Sequence, residues 1–176
     1  MGIIVYNSPF NTLRIEEGYS KIRGKRLKDF RIIKNDAVVI LPFLDKNTII
    51  MEKQFRFAVN KTILEIPAGS IDKGESKENA VRRELAEETG YYPNKIKFLF
   101  KTWNNPALMD YFEYYYVAYD LIKKERNLDE NEVITPVKIK FNDAIKKVYA
   151  GKIKDTKTML ALLFYSNCKK IEGLKP

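Results

Sequence analysis

Three glutamates, Glu84, Glu87 and Glu88, are spaced three and four residues apart, and Arg83 lies beside them. If this stretch is helical, the three carboxylates project from adjoining positions on one face. Like charges at this spacing oppose a helix by about 0.2–0.5 kcal/mol per pair, so the cluster needs a compensating partner. Because Mg²⁺ prefers grouped carboxylates with a carbonyl and water, the spacing favours a metal site over the alternative, a solvated acidic face.

The residues around these glutamates predict a short amphipathic helix. Ser76 is suited to be its N-cap, and Glu78 falls in the first turn, where the helix dipole favours an anion. Gly90 stands where a left-handed residue would end the helix. A narrow apolar stripe lies between the two ends: Ala80, Val81 and Leu85.

The stretch from Gly69 to Tyr91 resembles the signature box of the Nudix hydrolases. It has Gly69, five residues, Glu75, seven residues, and then Arg83-Glu84-Leu85-Ala86-Glu87-Glu88-Thr89-Gly90. Every polar and glycine position of that box is present, and the one departure is Tyr91, where the family has a smaller aliphatic residue. A motif of nine specified positions is specific. The observation that would confirm it is its structural context.

The resemblance implies a fold and a metal site. The fold is α+β, an α/β/α sandwich with a mixed β-sheet between helices and the box as loop, helix and loop. Mg²⁺, with Mn²⁺ as an alternative, would be held by the main-chain carbonyl of Ala68 and the side chains of Glu84, Glu87 and Glu88. Arg83 would orient these glutamates, and the box loop would be supported by Gly69, Glu75 and Gly90.

Two segments ahead of the box are similar to the ADP-ribose pyrophosphatase branch of the family. They are a Gln-aromatic-Arg element that ends at Arg56 and a Leu-Glu-x-Pro-Ala-Gly element that contains Glu65. The resemblance implies that Arg56 binds the phosphates or ribose of the substrate, for which a guanidinium is well suited. Glu65 would bind substrate or orient Arg56; a surface arginine and a structural glutamate are the alternatives.

The segments after the box match the branch less closely. Pro106 falls where ADP-ribose-hydrolysing members have a proline, but Ala107 replaces the following glycine and Asp110 comes early. Leu128 to Glu132 resembles the acidic loop that closes over the metals in those enzymes. Carried over by position, Glu130 would be the general base and Glu132 a metal ligand, with Glu87 the second candidate for the base; a solvated loop is the alternative.

Aromatic residues are dense in the segment from Tyr111 to Leu121, which predicts a strand with Glu113 and Tyr115 on one face and Tyr114 and Tyr116 on the other. Packing in the core is the favoured role for these tyrosines. Trp103 and Phe30 are candidates for stacking on adenine.

The composition limits the classes of function. The 176 residues include one cysteine, Cys168, so no intramolecular disulfide can form and a reducing, cytoplasmic compartment is expected. No histidine is present, which excludes imidazole metal sites and histidine-dependent relays. The net charge of +9 suits anionic ligands, but the charges are dispersed, so nucleic acid is not a favoured partner. No segment is apolar enough to span a membrane.

The chain divides into three predicted regions: residues 1–36, residues 37–168 and a basic tail, 169–176. The first region shows strands and a hairpin turn at Gly24, and the resemblance implies that it forms a small β-subdomain that makes a homodimer. Near the end of the second region, Asn142 and Asp155 are predicted to cap two helices. The buried face of the last helix is predicted to contain Met159, Leu160, Leu162, Leu163 and Phe164.

The resemblance therefore implies Mg²⁺-dependent hydrolysis of the pyrophosphate bond of ADP-ribose, giving AMP and ribose 5-phosphate. Two alternatives stay open. One is a Nudix pyrophosphatase for another nucleoside diphosphate derivative, such as a sugar nucleotide or a dinucleoside polyphosphate. The other is a non-catalytic Nudix module that senses a nucleotide.

Overall fold

Apolar and β-branched runs form most of the strands in the computed structural model, which describes residues 3–7, 12–20, 24–127 and 133–168. In chain order the elements are β1 Ile3–Asn7, β2 Thr12–Ser20, β3 Lys25–Ile33, β4 Ala37–Pro42, β5 Thr48–Arg56, β6 Lys61–Glu65, β7 Ala68–Ser70, α1 Lys77–Thr89, β8 Tyr91–Trp103, β9 Phe112–Lys123, β10 Ile134–Lys140, α2 Phe141–Tyr149 and α3 Thr156–Cys168.

The described strands form three sheets. A four-stranded sheet has the order β7-β4-β9-β8, and a three-stranded sheet has the order β10-β5-β6. The four-stranded sheet is mixed, because β4 and β9 run parallel while the other neighbours are antiparallel. The third sheet contains β1, β2 and β3. Strand β10 contains Pro136 and is an edge strand, where a residue that cannot donate to a ladder is tolerated.

Strand β4 is buried on both faces, which explains its unbroken apolar sequence. On one face Val38 and Ile40 pack with the apolar stripe of α1. On the other face Val39 and Leu41 pack in a larger core with residues of α2 and α3. Helices thus cover both sides of the sheets, which confirms the predicted α/β/α sandwich. The difference is that the strands between the helices belong to two sheets rather than one.

The limits of α1 agree with the sequence prediction. The Ser76 side chain accepts a hydrogen bond of 3.2 Å from the main-chain N–H of Asn79. At the other end Gly90 has a φ of 74°, a left-handed conformation that glycine adopts without steric cost. Both signals are local, so the helix ends can be read from neighbouring residues.

Helix α2 starts at a different residue from the one that the sequence predicts. Asn142 was the predicted cap, but the helix begins at Phe141 and its N-cap is Lys140, which makes no side-chain capping bond. Tertiary packing explains the shift, because the Phe141 ring lies 5.5 Å from the rings of both Phe43 and Tyr165. The Phe141 N–H also donates to the carbonyl of Asn47 at 2.8 Å, in the turn before β5.

Helix α3 keeps its predicted cap and part of its predicted buried face, since Met159 and Leu163 are half-buried against the core. The Asp155 carboxylate accepts from the Thr158 N–H at 3.0 Å. Leu162 is buried as predicted, whereas Leu160 and Phe164 are 36% and 37% exposed. The buried face consists instead of Thr158, Ala161, Leu162, Tyr165 and Cys168. The core-facing side of the helix includes polar and small residues, so the positions of the large aliphatic side chains do not mark it.

The chain before β4 joins the rest of the fold through main-chain contacts. The hairpin predicted at Gly24 is present, with β2 and β3 antiparallel and a φ of 60° at the glycine. The N–H of Ile32 donates to the carbonyl of Leu108 at 2.7 Å, so the end of β3 contacts the loop after β8. Residues 34–36 lie outside any strand, where the domain boundary is predicted. The predicted basic tail, 169–176, lies outside the described residues.

None of the helices in the described part of the chain has the length and apolar character that crossing a bilayer requires.

Candidate active site

A cavity of about 670 Å³ opens where β4, β7, β9 and the N-terminus of α3 meet the box helix. This volume is in the range of small-molecule sites, about 300–1,000 Å³. Its lining is rich in charged side chains, which come from distant parts of the sequence. The lining includes the charged residues Arg56, Arg83, Glu84, Glu87, Glu113, Asp155 and Lys157. It also includes Asn104, Tyr111, Ala68 and Gly69.

Arg83 holds the carboxylates of the box in place. Its guanidinium donates to both oxygens of Glu75, at 3.0 and 2.8 Å. The same side chain donates to Glu84 at 2.8 Å, to Glu87 at 3.2 Å and to the carbonyl of Ser70 at 2.9 Å. These hydrogen bonds hold the pKa of Glu75 below its usual value and raise that of Arg83. Arg83 therefore remains charged and ties the helix to the loop before it.

The close approach of the Glu84 side chain explains why position 69 is a glycine. A Cβ atom built on Gly69 would lie 2.0 Å from the carboxyl carbon of Glu84, where no side chain fits. The carboxylate thus rests directly on the main chain of β7. Beside it the buried Glu88 carboxylate accepts from the N–H of Ala68 at 3.1 Å. The main chain around Ala68 and Gly69 is therefore in contact with two glutamates of α1.

This arrangement suits a hard divalent cation. Glu84 and Glu88 offer carboxylate oxygens beside the main chain of β7, and Glu87 lines the same cavity; oxygen ligands of this kind are what Mg²⁺ prefers. One positive charge, on Arg83, is shared by Glu75, Glu84 and Glu87, so these four side chains carry a net negative charge. Across the described residues, no three carboxylates converge on a single point, because Glu84 and Glu87 turn toward Arg83.

A second charged group contributes to the lining of the cavity and is centred on Glu65. This carboxylate is fully buried and accepts from Arg56 at 2.7 and 2.8 Å and from the Lys157 ammonium. Lys157 also pairs with Asp155 at 3.0 Å. Burial raises the pKa of Glu65, but the hydrogen bonds and charges of Arg56 and Lys157 outweigh it and lower the pKa overall. Glu65 thus orients two cations, and both of them line the cavity.

Lys157 was missed by sequence reasoning, and Asp155 was identified only as a cap. Lys157 and Glu65 are 92 residues apart in the chain, so no local pattern connects them. A signal was present, since the Gly151-Lys152-Ile153-Lys154-Asp155-x-x-Thr158 pattern also matches the ADP-ribose pyrophosphatase branch. The fold supplies the missing contact: the Ile66 N–H, just after β6, donates to the Thr158 hydroxyl at 3.0 Å.

A third polar group was also missed, and it surrounds Glu113 on β9. The Glu113 carboxylate is 4% exposed and lines the cavity. It accepts from the Asn104 amide at 2.7 Å, the Tyr111 hydroxyl at 3.3 Å and the Tyr115 hydroxyl at 2.7 Å. The predicted alternation of β9 placed Glu113 and Tyr115 on one face, but nothing in the sequence showed that this face opens into the cavity.

The remaining predicted residues lie elsewhere. Pro106 is exposed in the turn after β8 and is not among the residues that line the cavity. Trp103 is 51% exposed and stacks on Phe112 at 4.7 Å, also away from the lining. Phe30 is in β3, and its stacking role stays a prediction. The acidic-loop residues, Glu130 and Glu132, lie outside the described residues, so their roles also stay predictions.

The sequence of the chain is similar to proteins of known activity. The profile of the NUDIX domain family matches residues 34–159. An ADP-ribose pyrophosphatase of Bacillus subtilis (strain 168) is 36% identical over 143 residues, which cover 80% of this chain and 77% of the relative. A GDP-mannose pyrophosphatase of Yersinia pestis (strain Pestoides F) is 31% identical over 162 residues, which cover 86% of this chain and 79% of the relative.

The three-dimensional comparison agrees with the sequence. The crystal structure of an ADP compounds hydrolase superimposes with a TM-score of 0.84 at 25% identity, covering 99% of this chain and 95% of that one. The match of the family profile, the relatives above 30% identity and the shared fold confirm the resemblance of the box. The chain belongs to the NUDIX domain family, in its ADP-ribose pyrophosphatase branch, and is a pyrophosphohydrolase of that family.

Proposed function

We propose that the protein hydrolyses the pyrophosphate bond of ADP-ribose in the presence of Mg²⁺, with Mn²⁺ as an alternative metal, and releases AMP and ribose 5-phosphate. The observation that carries this proposal is the presence of two groups in one cavity, whose lining contains both the box glutamates Glu84 and Glu87 and the cations Arg56 and Lys157. The ADP-ribose pyrophosphatase of Bacillus subtilis, at 36% identity, supports this choice of substrate.

The two groups have different roles in binding a pyrophosphate: one contacts the phosphate oxygens and the other binds the metal. Arg56 and Lys157, fixed by Glu65, present positive charge to the phosphate oxygens. Glu84, Glu87, Glu88 and the carbonyl of Ala68 are the proposed metal ligands. A cation bound there would neutralise phosphate charge and lower the pKa of a coordinated water molecule. Arg83 keeps the glutamates in position, since it contacts Glu84 and Glu87 and is itself held by Glu75.

Hydrolysis adds the oxygen of water to one phosphorus and breaks that phosphorus's bond to the bridging oxygen, which leaves with the second phosphate. A carboxylate must take the proton of the attacking water, because the chain has no histidine. Glu130 is the proposed general base and Glu87 the second candidate. Replacing each by glutamine separates them: the variant that lacks the base should lose kcat and the acidic limb of its pH–rate profile.

Product analysis tests the proposed substrate. The protein is incubated with Mg²⁺ and, separately, with ADP-ribose, GDP-mannose, NADH or a dinucleoside polyphosphate, and the products are separated by anion-exchange chromatography. We expect AMP and ribose 5-phosphate, formed fastest from ADP-ribose. Faster cleavage of another compound would keep the pyrophosphatase chemistry and overturn the choice of substrate.

A sugar nucleotide such as GDP-mannose is the second candidate substrate, because a relative with that activity is 31% identical and the loop at Ala107 departs from the branch pattern. Binding of a nucleotide without cleavage of any compound would favour a sensing module instead. A homodimer and a cytoplasmic location remain predictions from the resemblance and the composition.

A further inference from the structure

The wall of the cavity formed by β9 and the loop before it carries a negative charge that the proposed chemistry does not use. Glu113 provides this charge, and it is nearly buried while still lining the cavity. Among the side chains that the structure describes, no lysine or arginine forms an ion pair with it. Burying an ionised carboxylate without a countercharge is costly unless hydrogen bonds compensate it.

Three neutral donors provide that compensation and orient the carboxylate. Asn104 and Tyr111 share one oxygen of Glu113, and Tyr115 donates to the other. Burial and the negative charge of Glu113 raise the pKa of both tyrosines, so their hydroxyls stay protonated and act as donors. A carboxylate has about four acceptor positions, so three bonds leave one for a ligand. The Asn104 carbonyl and the Tyr111 oxygen are acceptors beside it.

The supporting loop is fixed at both ends. Trp103 and Phe112, next to Asn104 and Tyr111, are paired in the β8–β9 ladder. Within the loop, the N–H groups of Leu108 and Met109 donate to the carbonyl of Asn105 at 3.0 and 2.8 Å. Asn104 and Tyr111 are therefore positioned before a ligand arrives, which lowers the entropic cost of binding.

The carboxylate in the cavity does not come from the loop itself. Asp110 is the acidic residue of the loop, but it is exposed and is not among the residues that line the cavity. The carboxylate that does line it is Glu113, three residues further on and inside a strand.

Glu113 and the oxygens beside it favour groups that donate hydrogen bonds; the lining cation Lys34 lies over the Tyr111 ring, 5.4 Å from its centroid, and has no ion pair with Glu113 among the described residues. Phosphate oxygens are acceptors and carry negative charge, so they belong beside Arg56 and Lys157. The hydroxyls of a sugar are neutral donors, so one can bind the remaining acceptor position of Glu113 and a neighbouring one can bind the Asn104 carbonyl or the Tyr111 oxygen. We propose that Glu113, together with Asn104 and Tyr111, accepts hydrogen bonds from the hydroxyls of the sugar that the reaction releases as its phosphate, and so determines the preference for sugar-bearing diphosphates.

This inference rests on the proposed function and is tested with the two products as separate probes. Inhibition constants are measured for ribose 5-phosphate and for AMP, on the wild type, Glu113→Gln and Asp110→Asn. Loss of a hydrogen bond to a charged group should weaken ribose 5-phosphate binding to Glu113→Gln by about 10-fold to 100-fold. AMP should inhibit all three proteins equally, and Asp110→Asn should behave as the wild type.

Two results would overturn the proposal. One is equal inhibition of wild type and Glu113→Gln by ribose 5-phosphate; the other is a loss confined to AMP, which would place the nucleoside at Glu113. A measurement on the unchanged protein guards against misfolding of the variant: 2-deoxyribose 5-phosphate and 1,4-anhydroribitol 5-phosphate should bind more weakly than ribose 5-phosphate, and equal binding of all three would contradict the inference.

Failure of the proposed function is recognised separately. If the wild type does not cleave ADP-ribose, that proposal fails, while the inhibition constants can still be measured against whichever sugar nucleotide it cleaves. A phosphorylated form of that compound's own sugar then replaces ribose 5-phosphate, and the same dependence on Glu113 is expected.

Discussion

Individual side chains of the box can be assigned by what each one touches. Glu88 is buried and contacts the main chain of β7, Glu84 rests on Gly69, and Glu87 shares Arg83 with Glu84. The three carboxylates therefore have distinct surroundings although they lie on one face of one helix. Removing each of them should have a distinct effect on metal binding and on stability.

Glu88→Gln should abolish most of the activity and leave the fold intact. The amide oxygen of glutamine can still accept from the Ala68 N–H, so the contact that holds α1 to β7 is kept. The charge needed for a metal ligand is lost, and since even partners outside the ligand shell cost about 10–100-fold, we expect kcat to fall by more than about 100-fold. Steady-state kinetics and thermal unfolding measure the two effects.

The matched control is Glu78→Gln, which neutralises a carboxylate in the first turn of the same helix. Glu78 accepts from the Tyr116 hydroxyl at 3.2 Å and is not among the residues lining the cavity. Its kcat should stay within about twofold of the wild type, since it has no contact with the proposed metal ligands. Near-normal turnover of Glu88→Gln would refute its assignment as a ligand.

Gly69→Ala tests whether the close approach of Glu84 matters for metal binding. The new methyl group would occupy the position of the Glu84 carboxylate, which must swing away because the main chain of β7 cannot move easily. We expect a loss of stability of less than about 2 kcal/mol and a rise of at least about 10-fold in the Mg²⁺ concentration needed for half-maximal activity. An unchanged Mg²⁺ requirement would show that Glu84 does not bind the metal.

At the scale of elements, the group centred on Glu65 joins β5, β6 and the N-terminus of α3. Arg56 comes from β5, Glu65 from β6 and Lys157 from the first turn of α3. The Thr158 hydroxyl accepts from the Ile66 N–H and donates to Asp155, which extends the junction into the core. The cations of the cavity are thus placed by the same contacts that dock the last helix.

Glu65→Gln should destabilise the protein in a manner that depends on pH. Breaking a buried ion pair by removing one partner costs about 3–5 kcal/mol, and we expect a loss of this size in the free energy of unfolding at pH 7. The pKa of Glu65 in the folded protein lies below its unfolded value of about 4.3, so its contribution is complete above that value. The contribution is lost as the pH falls through the folded pKa.

Denaturant unfolding of both proteins between pH 3 and pH 7 measures this effect. The difference between wild type and Glu65→Gln should shrink toward the acid end of the range. Glu125→Gln, which removes an exposed carboxylate, should follow the wild type throughout. A difference that is constant with pH would mean that the charge of Glu65 is not what stabilises the junction.

Local signals account for what the sequence predicted correctly. The limits of α1 follow from Ser76 and Gly90, and the apolar run of β4 follows from burial on both faces. Predictions failed where tertiary contacts decide, as at the start of α2, which the packing of Phe141 sets. Lys157 and Glu113 could not be assigned to the site, because the contacts that bring them into the cavity join distant segments or require knowing which face of a strand is open.

At the scale of the whole molecule, the sheet of β1, β2 and β3 stands apart from the two sheets of the core. In the described ranges its link to them is the bridge between Ile32 and Met109, next to the loop that carries Asn104. The register pairs Ile15 with Ile3 on one side and with Phe30 on the other. These three positions are apolar in the sequence, and the family resemblance implies that this region forms a homodimer.

A second copy of the chain is the predicted partner, and Ile15→Lys tests it. Sedimentation velocity of the wild type should give twice the chain mass of 20.6 kDa. The lysine would put a charge between two register partners that are apolar in the sequence, and it should shift the protein to the monomer mass. Ile122→Lys, at a position that is 45% exposed in β9, should remain a dimer. If the sheet also completes the partner's pocket, kcat/KM should fall together with the dimer fraction on dilution. A wild-type monomer, or a dimer unaffected by Ile15→Lys, would show that this sheet does not form the interface.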